Sequence, residues 1–252
     1  STCDPRGRTS MVQRLIELNP HSFLGYYYLG RVHAGAGHFD EAEDAYNEAM
    51  RLNPQSELVL ADMALLYEAQ NQPEKAIDLY QRILKTNPKS VTVRRRLGGL
   101  YVGQKQLDEA LQEFRELEKI ESDPLDTRVK IGLIYFEKGD SDRALTEFNL
   151  VLAADPTNHR VRYYLGAVLT QNKEYDKAIA VLAEIPPESD NYVEGRIQMA
   201  YTYQQAGRTK DAIRVLQDAL EVKPGNTDLL NLLATLYRED GDLPRAIDVA
   251  ER

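Results

Sequence analysis

Apolar residues recur at spacings of three and four along most of the chain, which is the period of amphipathic helices. Within residues 23–56, two such stretches flank a short break that contains Gly37. Glycine suits the left-handed backbone that follows many helices, and Asp40 just beyond it suits a helix N-terminus. Pro54 closes the segment, because proline cannot continue a helix interior. The pattern therefore predicts a helix, a tight turn and a second helix.

This pattern recurs every 34 residues along the chain. Segments such as "YYYLGRVH", "RRRLGGLY" and "LNLLATLY" superimpose at that offset or its multiples, and so do several prolines. An internal period of this length is the mark of a repeat architecture, so the chain is predicted to be all-α. A small residue keeps the same period at Ala42, Ala76, Ala110, Ala144, Ala178, Ala212 and Ala246.

Two further columns of residues predict how each unit is built. A small residue in the middle of each first helix would let the second helix approach closely: Gly30, Ala64, Gly98, Gly132, Gly166, Ala200 and Ala234. The break between the helices should hold a left-handed residue, which glycine or asparagine adopts more easily than lysine. That position holds Gly37, Asn71, Lys105, Gly139, Lys173, Gly207 and Gly241.

The coupled signature, with its large residue, Leu-Gly/Ala pair, tyrosine, alanine and proline, resembles the tetratricopeptide repeat over about residues 23–252. The resemblance implies a right-handed α-solenoid, or superhelix, of helix–turn–helix units. Residues 11–22 are interpreted as the end of a preceding unit, and residues 1–10 as a flexible tail. The predicted units are 23–56, 57–90, 91–124, 125–158, 159–192, 193–226 and a partial unit 227–252, within one solenoid over 11–252.

Composition and charge narrow the classes of function. Lys and Arg number 31 against 40 Asp and Glu, a formal net charge of −9, which disfavours nucleic acid and anionic membranes as partners. No apolar run approaches the ~18 residues of a membrane span. The single cysteine, Cys3, excludes a disulfide within the chain. We expect a soluble, cytoplasmic protein by default; the alternative is a bacterial periplasmic or envelope protein with a lipid on Cys3.

Candidate catalytic and metal-binding residues do not form a recognisable pattern. None of the four histidines has metal-ligand spacing with carboxylate or cysteine support. His33 occupies a position that other units fill with tyrosine, which favours a packed core histidine. The stretch "GAGHFD" follows no predicted strand, so it is not a dinucleotide-binding loop. The chain is therefore predicted to be non-enzymatic, with no catalytic, cofactor-binding or metal-binding residues and no cofactor.

In the family that this chain resembles, the first helices of successive units line a concave groove that holds a peptide or a helix. The slots carried over are the second, fifth, sixth, ninth and twelfth positions of each unit. Arginine and tyrosine, which are favoured at binding hot spots, concentrate there. The expected ligand is an acidic peptide or a C-terminal carboxylate. The predicted partner-binding residues are Tyr27, Tyr28, Arg31, Arg95, Arg96, Lys130, Arg160, Tyr163, Tyr164 and Tyr201.

A second arginine column, at Arg94, Arg128, Arg162 and Arg196, occupies a usually half-buried slot and is interpreted as structural. The leading hypothesis for the function is a protein–protein interaction scaffold. One alternative is the substrate-recognition arm of a larger enzyme, such as a glycosyltransferase; another is an envelope or secretion-assembly protein. RNA binding is a fourth hypothesis, which the net charge opposes. The last unit stops within its second helix, which suggests a fragment of a longer protein or an end against a partner. Exposed repeat ends would also favour self-association.

Overall fold

Fifteen α-helices make up the regular structure of residues 5–251, the part of the chain that the computed structural model describes. They pack in consecutive pairs, α2 with α3 through α14 with α15, which confirms the predicted all-α fold of tandem helix–turn–helix units. The helices are α1 (Pro5–Leu18), α2 (Phe23–Gly35), α3 (Phe39–Leu52), α4 (Glu57–Ala69), α5 (Pro73–Thr86), α6 (Val91–Gly103), α7 (Leu107–Glu118), α8 (Leu125–Glu137), α9 (Ser141–Ala154), α10 (His159–Gln171), α11 (Tyr175–Ala183), α12 (Tyr192–Gln205), α13 (Thr209–Val222), α14 (Thr227–Glu239) and α15 (Leu243–Ala250).

The turn inside each pair has one residue in the left-handed region, at the position that the sequence predicted. Asn71, Lys105 and Lys173 reach φ of 56°, 60° and 62°, although only glycine adopts this backbone without a steric cost. The same turn therefore forms with or without glycine. The glycines at this position are Gly37, Gly139, Gly207 and Gly241.

Glycines in the middle of the first helices meet large side chains of the second helices. A Cβ placed on Gly132 would lie 2.6 Å from the Phe148 ring, and one on Gly98 would lie 2.8 Å from the Phe114 ring. Distances this short leave no room for a side chain, so the two helices pack against bare backbone. The predicted reason for the small residues is confirmed at these positions.

The chain divides into two compact units, residues 1–122 with α1–α7 and residues 123–252 with α8–α15. The first is built around Tyr46, Tyr80 and Phe114, which are fully buried. In the second unit, the residues at the same repeat position are again buried: Phe148, Leu182 and Leu216. The single solenoid over 11–252, its right-handed superhelical form and the division into repeat units stay predictions.

Helix α1 begins earlier than the sequence indicated. Residues 5–10 were assigned to a flexible tail, yet the helix starts at Pro5. Proline is tolerated in the first turn of a helix, where its missing N–H has no partner to lose. The helix packs against α2, where Ile16 lies against Gly25. Residues 1–4 lie outside the described residues, and so does Cys3, on which the alternative of a lipid anchor depends.

Candidate functional site

Helices α2, α3 and α4 enclose a depression of about 260 Å³, lined in part by Arg31, Asp62 and Leu65. The Arg31 guanidinium lies with its Nε 3.4 Å from Oδ2 of Asp62. The Tyr27 hydroxyl donates a hydrogen bond of 3.0 Å to the same carboxylate oxygen. One carboxylate of α4 therefore holds two of the predicted partner-binding residues of α2.

Tyr27 differs from the other predicted contact residues, because it is a core side chain. It is only 5 % exposed, and its ring lies 6.3 Å from the ring of Tyr46. Burial and the bond to Asp62 raise the pKa of the Tyr27 phenol. A ligand on the surface would meet the exposed Tyr28, whose ring lies 5.2 Å from that of Tyr27, rather than Tyr27 itself.

Exposed leucines add an apolar component that the sequence reasoning missed. Leu24 and Leu58 hold the second slot of their units and Leu65 the ninth, and all three are exposed. The predicted contact residues at these slots were arginine, lysine and tyrosine only. A leucine at a slot expected to face a ligand, on an otherwise amphipathic helix, was the available signal.

The two predicted partner-binding arginines of α6 are both paired within the first compact unit. Arg95 forms an ion pair with Glu121, and Arg96 lies 3.5 Å from a carboxylate oxygen of Glu68. Both guanidinium groups remain exposed. The predicted positive charge is thus largely balanced by neighbouring carboxylates.

Lys130 and Arg160 of the second unit share one carboxylate. The Lys130 ammonium donates to Asp126 at 2.7 Å, and Arg160 approaches the other oxygen of Asp126 at 3.6 Å. The structure brings these two predicted residues together from α8 and α10. Exposed pairs of this kind contribute about 0–1 kcal/mol, so a ligand carboxylate can exchange with Asp126 at little cost.

The predicted tyrosines of the second unit fall into two settings. Tyr163 and Tyr164 are half-buried, with ring centroids 5.6 Å apart, and Tyr164 lies 5.8 Å from Phe148. Tyr201 is exposed. Of these three tyrosines, Tyr201 presents the most aromatic surface, while the other two also contribute to packing.

The second arginine column stabilises helix pairs. Arg196 donates to the carbonyl oxygens of Leu182 at 3.2 Å and Ile185 at 2.9 Å, so it caps the end of α11. Arg162 is paired with Glu184. These contacts support a structural role for this arginine column, since both guanidinium groups bind oxygen atoms of the same compact unit.

Two other predictions concern the packing of His33 and the absence of a membrane-spanning helix. His33 is half-buried rather than fully packed, and its ring lies 6.0 Å from that of His38. None of the helices within residues 5–251 has both the length and the apolar character to cross a bilayer.

Comparison with known families matches tetratricopeptide repeat models to residues 33–89, 67–130, 135–201 and 203–252, and a second model of that repeat to residues 6–57. No curated protein matches the chain. The chain belongs to the tetratricopeptide repeat family. Repeats of this family generally mediate protein–protein interactions and are typically non-catalytic.

Solved structures with the same fold share little sequence with this chain. YrrB, described as a tetratricopeptide repeat protein with an unusual peptide-binding site, is 18 % identical with a TM-score of 0.56; the match covers 75 % of this chain and 97 % of YrrB. A repeat protein from Parabacteroides merdae is 17 % identical with a TM-score of 0.56, covering 92 % of each chain. PilF from Pseudomonas aeruginosa is 17 % identical, with a TM-score of 0.56, and the match covers 84 % of this chain and 97 % of PilF.

Proposed function

We propose that this chain is a non-catalytic protein–protein interaction scaffold that holds a peptide or helix of a partner against its first helices. The observation that carries this proposal is the depression between α2 and α4. There the exposed Leu65 lies beside an Arg31–Asp62 pair that a ligand can reach. An apolar anchor site next to charged groups is the usual composition of a peptide-binding surface. The peptide-binding site described for YrrB adds support through a protein of the same fold.

The proposed ligand carries an acidic segment or a C-terminal carboxylate. In the first unit it would bind the exposed guanidinium groups of Arg95 and Arg96. A second such ligand, bound to the second unit, would replace Asp126 as the partner of Lys130 and Arg160. Charge-assisted bonds from arginine to a carboxylate are strong and directional, whereas the exposed pairs of Asp126 with Lys130 and Arg160 are weak.

A charge-reversal experiment tests the acidic specificity. Labelled decapeptides of glutamate and leucine, ending in either a free carboxylate or an amide, are titrated against the protein by fluorescence anisotropy. We expect the triple variant Arg95→Glu, Arg96→Glu, Lys130→Glu to lose at least about tenfold in affinity, with a smaller loss on amidation.

A matched variant keeps the same change of charge on second helices. Arg51, Arg143 and Arg214 are exposed arginines on α3, α9 and α13, and their reversal to glutamate should leave binding nearly unchanged. Equal losses of affinity in both triple variants would show that the net charge, rather than these three positions, determines binding. Binding that the triple variant leaves undiminished would remove these cations from the proposed site.

A further inference from the structure

Tyr46 and Tyr80 hold the same repeat position, one unit apart, but their hydroxyl groups have different surroundings. Both side chains are almost fully buried, with 2 % and 1 % of their surface exposed. The Tyr80 hydroxyl donates a hydrogen bond to Glu68. The Tyr46 hydroxyl forms no hydrogen bond within residues 5–251, although Tyr46 lines the depression between α2 and α4. Because burial raises the pKa of the Tyr46 phenol, this hydroxyl keeps its proton and remains a donor.

The next unit shows what the Tyr46 hydroxyl lacks. Glu68 accepts the hydrogen bond from Tyr80, and it also lies 3.5 Å from Arg96 of the following first helix. The residue 34 positions before Glu68 is Ala34, which lines the depression and has no polar group. The depression of about 260 Å³ is therefore open on the side where the equivalent pair of helices has a polar side chain.

The charge on the following first helix also differs between the two pairs. Arg96 of α6 corresponds to Asp62 of α4, which lines the depression. Arg31 and the Tyr27 hydroxyl both contact Oδ2 of Asp62, and its Oδ1 accepts no hydrogen bond from the part of the chain that the structure describes. The depression thus offers a donor, the Tyr46 hydroxyl, and an acceptor, Asp62. The next pair of helices offers only donors to Glu68.

A group that binds both Tyr46 and Asp62 must accept one hydrogen bond and donate another. A carboxylate only accepts, and Asp62 would repel it; an ammonium group only donates, so it would leave the Tyr46 hydroxyl without a partner. A primary carboxamide has an acceptor oxygen and an NH₂ group with two donors. Glutamine also has the same shape as the Glu68 side chain that occupies the equivalent space.

We propose that the depression between α2 and α4 binds a glutamine side chain of the partner. Its carbonyl oxygen accepts a hydrogen bond from Tyr46, and its amide nitrogen donates to Oδ1 of Asp62. The exposed Leu65 at the same depression contacts the methylene groups of that side chain. The inference rests on the proposed function, because the glutamine belongs to the peptide or helix that the first helices hold.

A glutamine built into the chain tests this chemistry without a partner. Ala34→Gln places a carboxamide where Glu68 stands in the next unit, and Ala34→Met is a control of similar size and helix propensity. We expect Ala34→Gln to melt about 2–4 °C above Ala34→Met. The difference should vanish in a Tyr46→Phe background. It should persist in a Tyr80→Phe background, which removes the hydroxyl that Glu68 already binds.

Decapeptides test the same site with a separate ligand. Glutamine, methionine or glutamate is placed at each position in turn of the labelled glutamate–leucine decapeptides, and affinities are measured by fluorescence anisotropy. We expect one position at which glutamine binds about tenfold more tightly than methionine or glutamate. Tyr46→Phe should abolish this preference, and so should Ala34→Gln, because its own amide fills the depression. Tyr80→Phe should leave the preference intact.

Three results would overturn the inference. The first is equal melting temperatures for Ala34→Gln and Ala34→Met, and the second is a glutamine preference that survives in Tyr46→Phe. The third is that glutamate or methionine binds as tightly as glutamine at every position. Failure of all the decapeptides to bind would instead overturn the proposed function, whereas the melting temperatures judge the match between the depression and a carboxamide independently.

Discussion

Arg94 of α6 and Glu113 of α7 form an ion pair with a distance of 2.7 Å, and each side chain is only 14 % exposed. Arg94 also donates from Nε to the carbonyl oxygen of Pro88 at 2.9 Å. One residue along, Arg95 is 50 % exposed, but its partner Glu121 is only 7 % exposed. The two neighbouring arginines of "VRRRLGGLY" therefore differ in how deeply their own charges lie, although both pair with largely buried carboxylates.

We expect Arg94→Ala to lower the free energy of unfolding by roughly 1–3 kcal/mol, because Glu113 is left partly buried without its cation. Arg14→Ala removes an equal charge from the exposed pair with Glu17 and should cost less than about 1 kcal/mol. Urea denaturation followed by circular dichroism measures both. Equal costs would show that burial of the Arg94 pair contributes nothing.

Gly98 and Gly99 offer a matched test of helix-pair packing, since both lie in α6. Alanine at either position gains ~1 kcal/mol of helix propensity. A Cβ on Gly99 meets no atom within 4 Å, whereas one on Gly98 would lie 2.8 Å from the Phe114 ring. We expect Gly99→Ala to raise the melting temperature and Gly98→Ala to lower it. A rise in both would mean that Phe114 moves aside freely.

Lys173→Gly should stabilise the protein by about 1 kcal/mol, because the lysine holds a left-handed backbone with φ of 62°. The reverse change at the equivalent position, Gly207→Ala, should destabilise the protein, because φ there is 72°. Thermal unfolding of the two variants measures these opposite shifts. Shifts in the same direction would contradict the role of backbone strain in these turns.

Tyr80 predicts a loss of stability at alkaline pH. Burial, reinforced by its hydrogen bond to Glu68, raises the pKa of the Tyr80 phenol above its ordinary value of about 10. Above pH 10 the unfolded chain releases this proton while the folded chain keeps it, so the free energy of unfolding falls as pH rises.

The variant Tyr80→Phe should therefore be less stable at pH 7 by about 1 kcal/mol, yet lose less stability between pH 9 and 11. Urea midpoints across that range provide the measurement. Tyr28→Phe, which changes an exposed ring, controls for removal of a hydroxyl. Parallel pH curves for wild type and Tyr80→Phe would rule out this contribution.

Much of the fold could be predicted from the sequence because its contacts repeat with the chain. The helix period, the left-handed turn at Gly37 and its equivalents, and the small residue under Phe114 or Phe148 all depend on residues within one unit. Such local rules are visible in a single unit and are reinforced by every copy. These local rules are sufficient to recognise the repeat family from the sequence alone.

The hydrogen bonds and ion pairs of the candidate site do not recur with the 34-residue period of the chain. Tyr27 bonds to Asp62, and Arg95 to Glu121, across 35 and 26 residues of sequence. Asp62 occupies the sixth slot of its unit, but the slot pattern does not specify which residue a carboxylate pairs with. The balanced charges and the buried tyrosine could therefore not be foreseen.

The sequence by itself determined the helices, their turns and their order, because these follow from local backbone preference and apolar spacing. Only the tertiary structure decided which charges are paired and which apolar residues stay uncovered, such as Leu15 beside Val12. The physical reason is that burial and ion pairing depend on the neighbouring helix. The same apolar position is a core residue where a helix covers it and an exposed residue where none does.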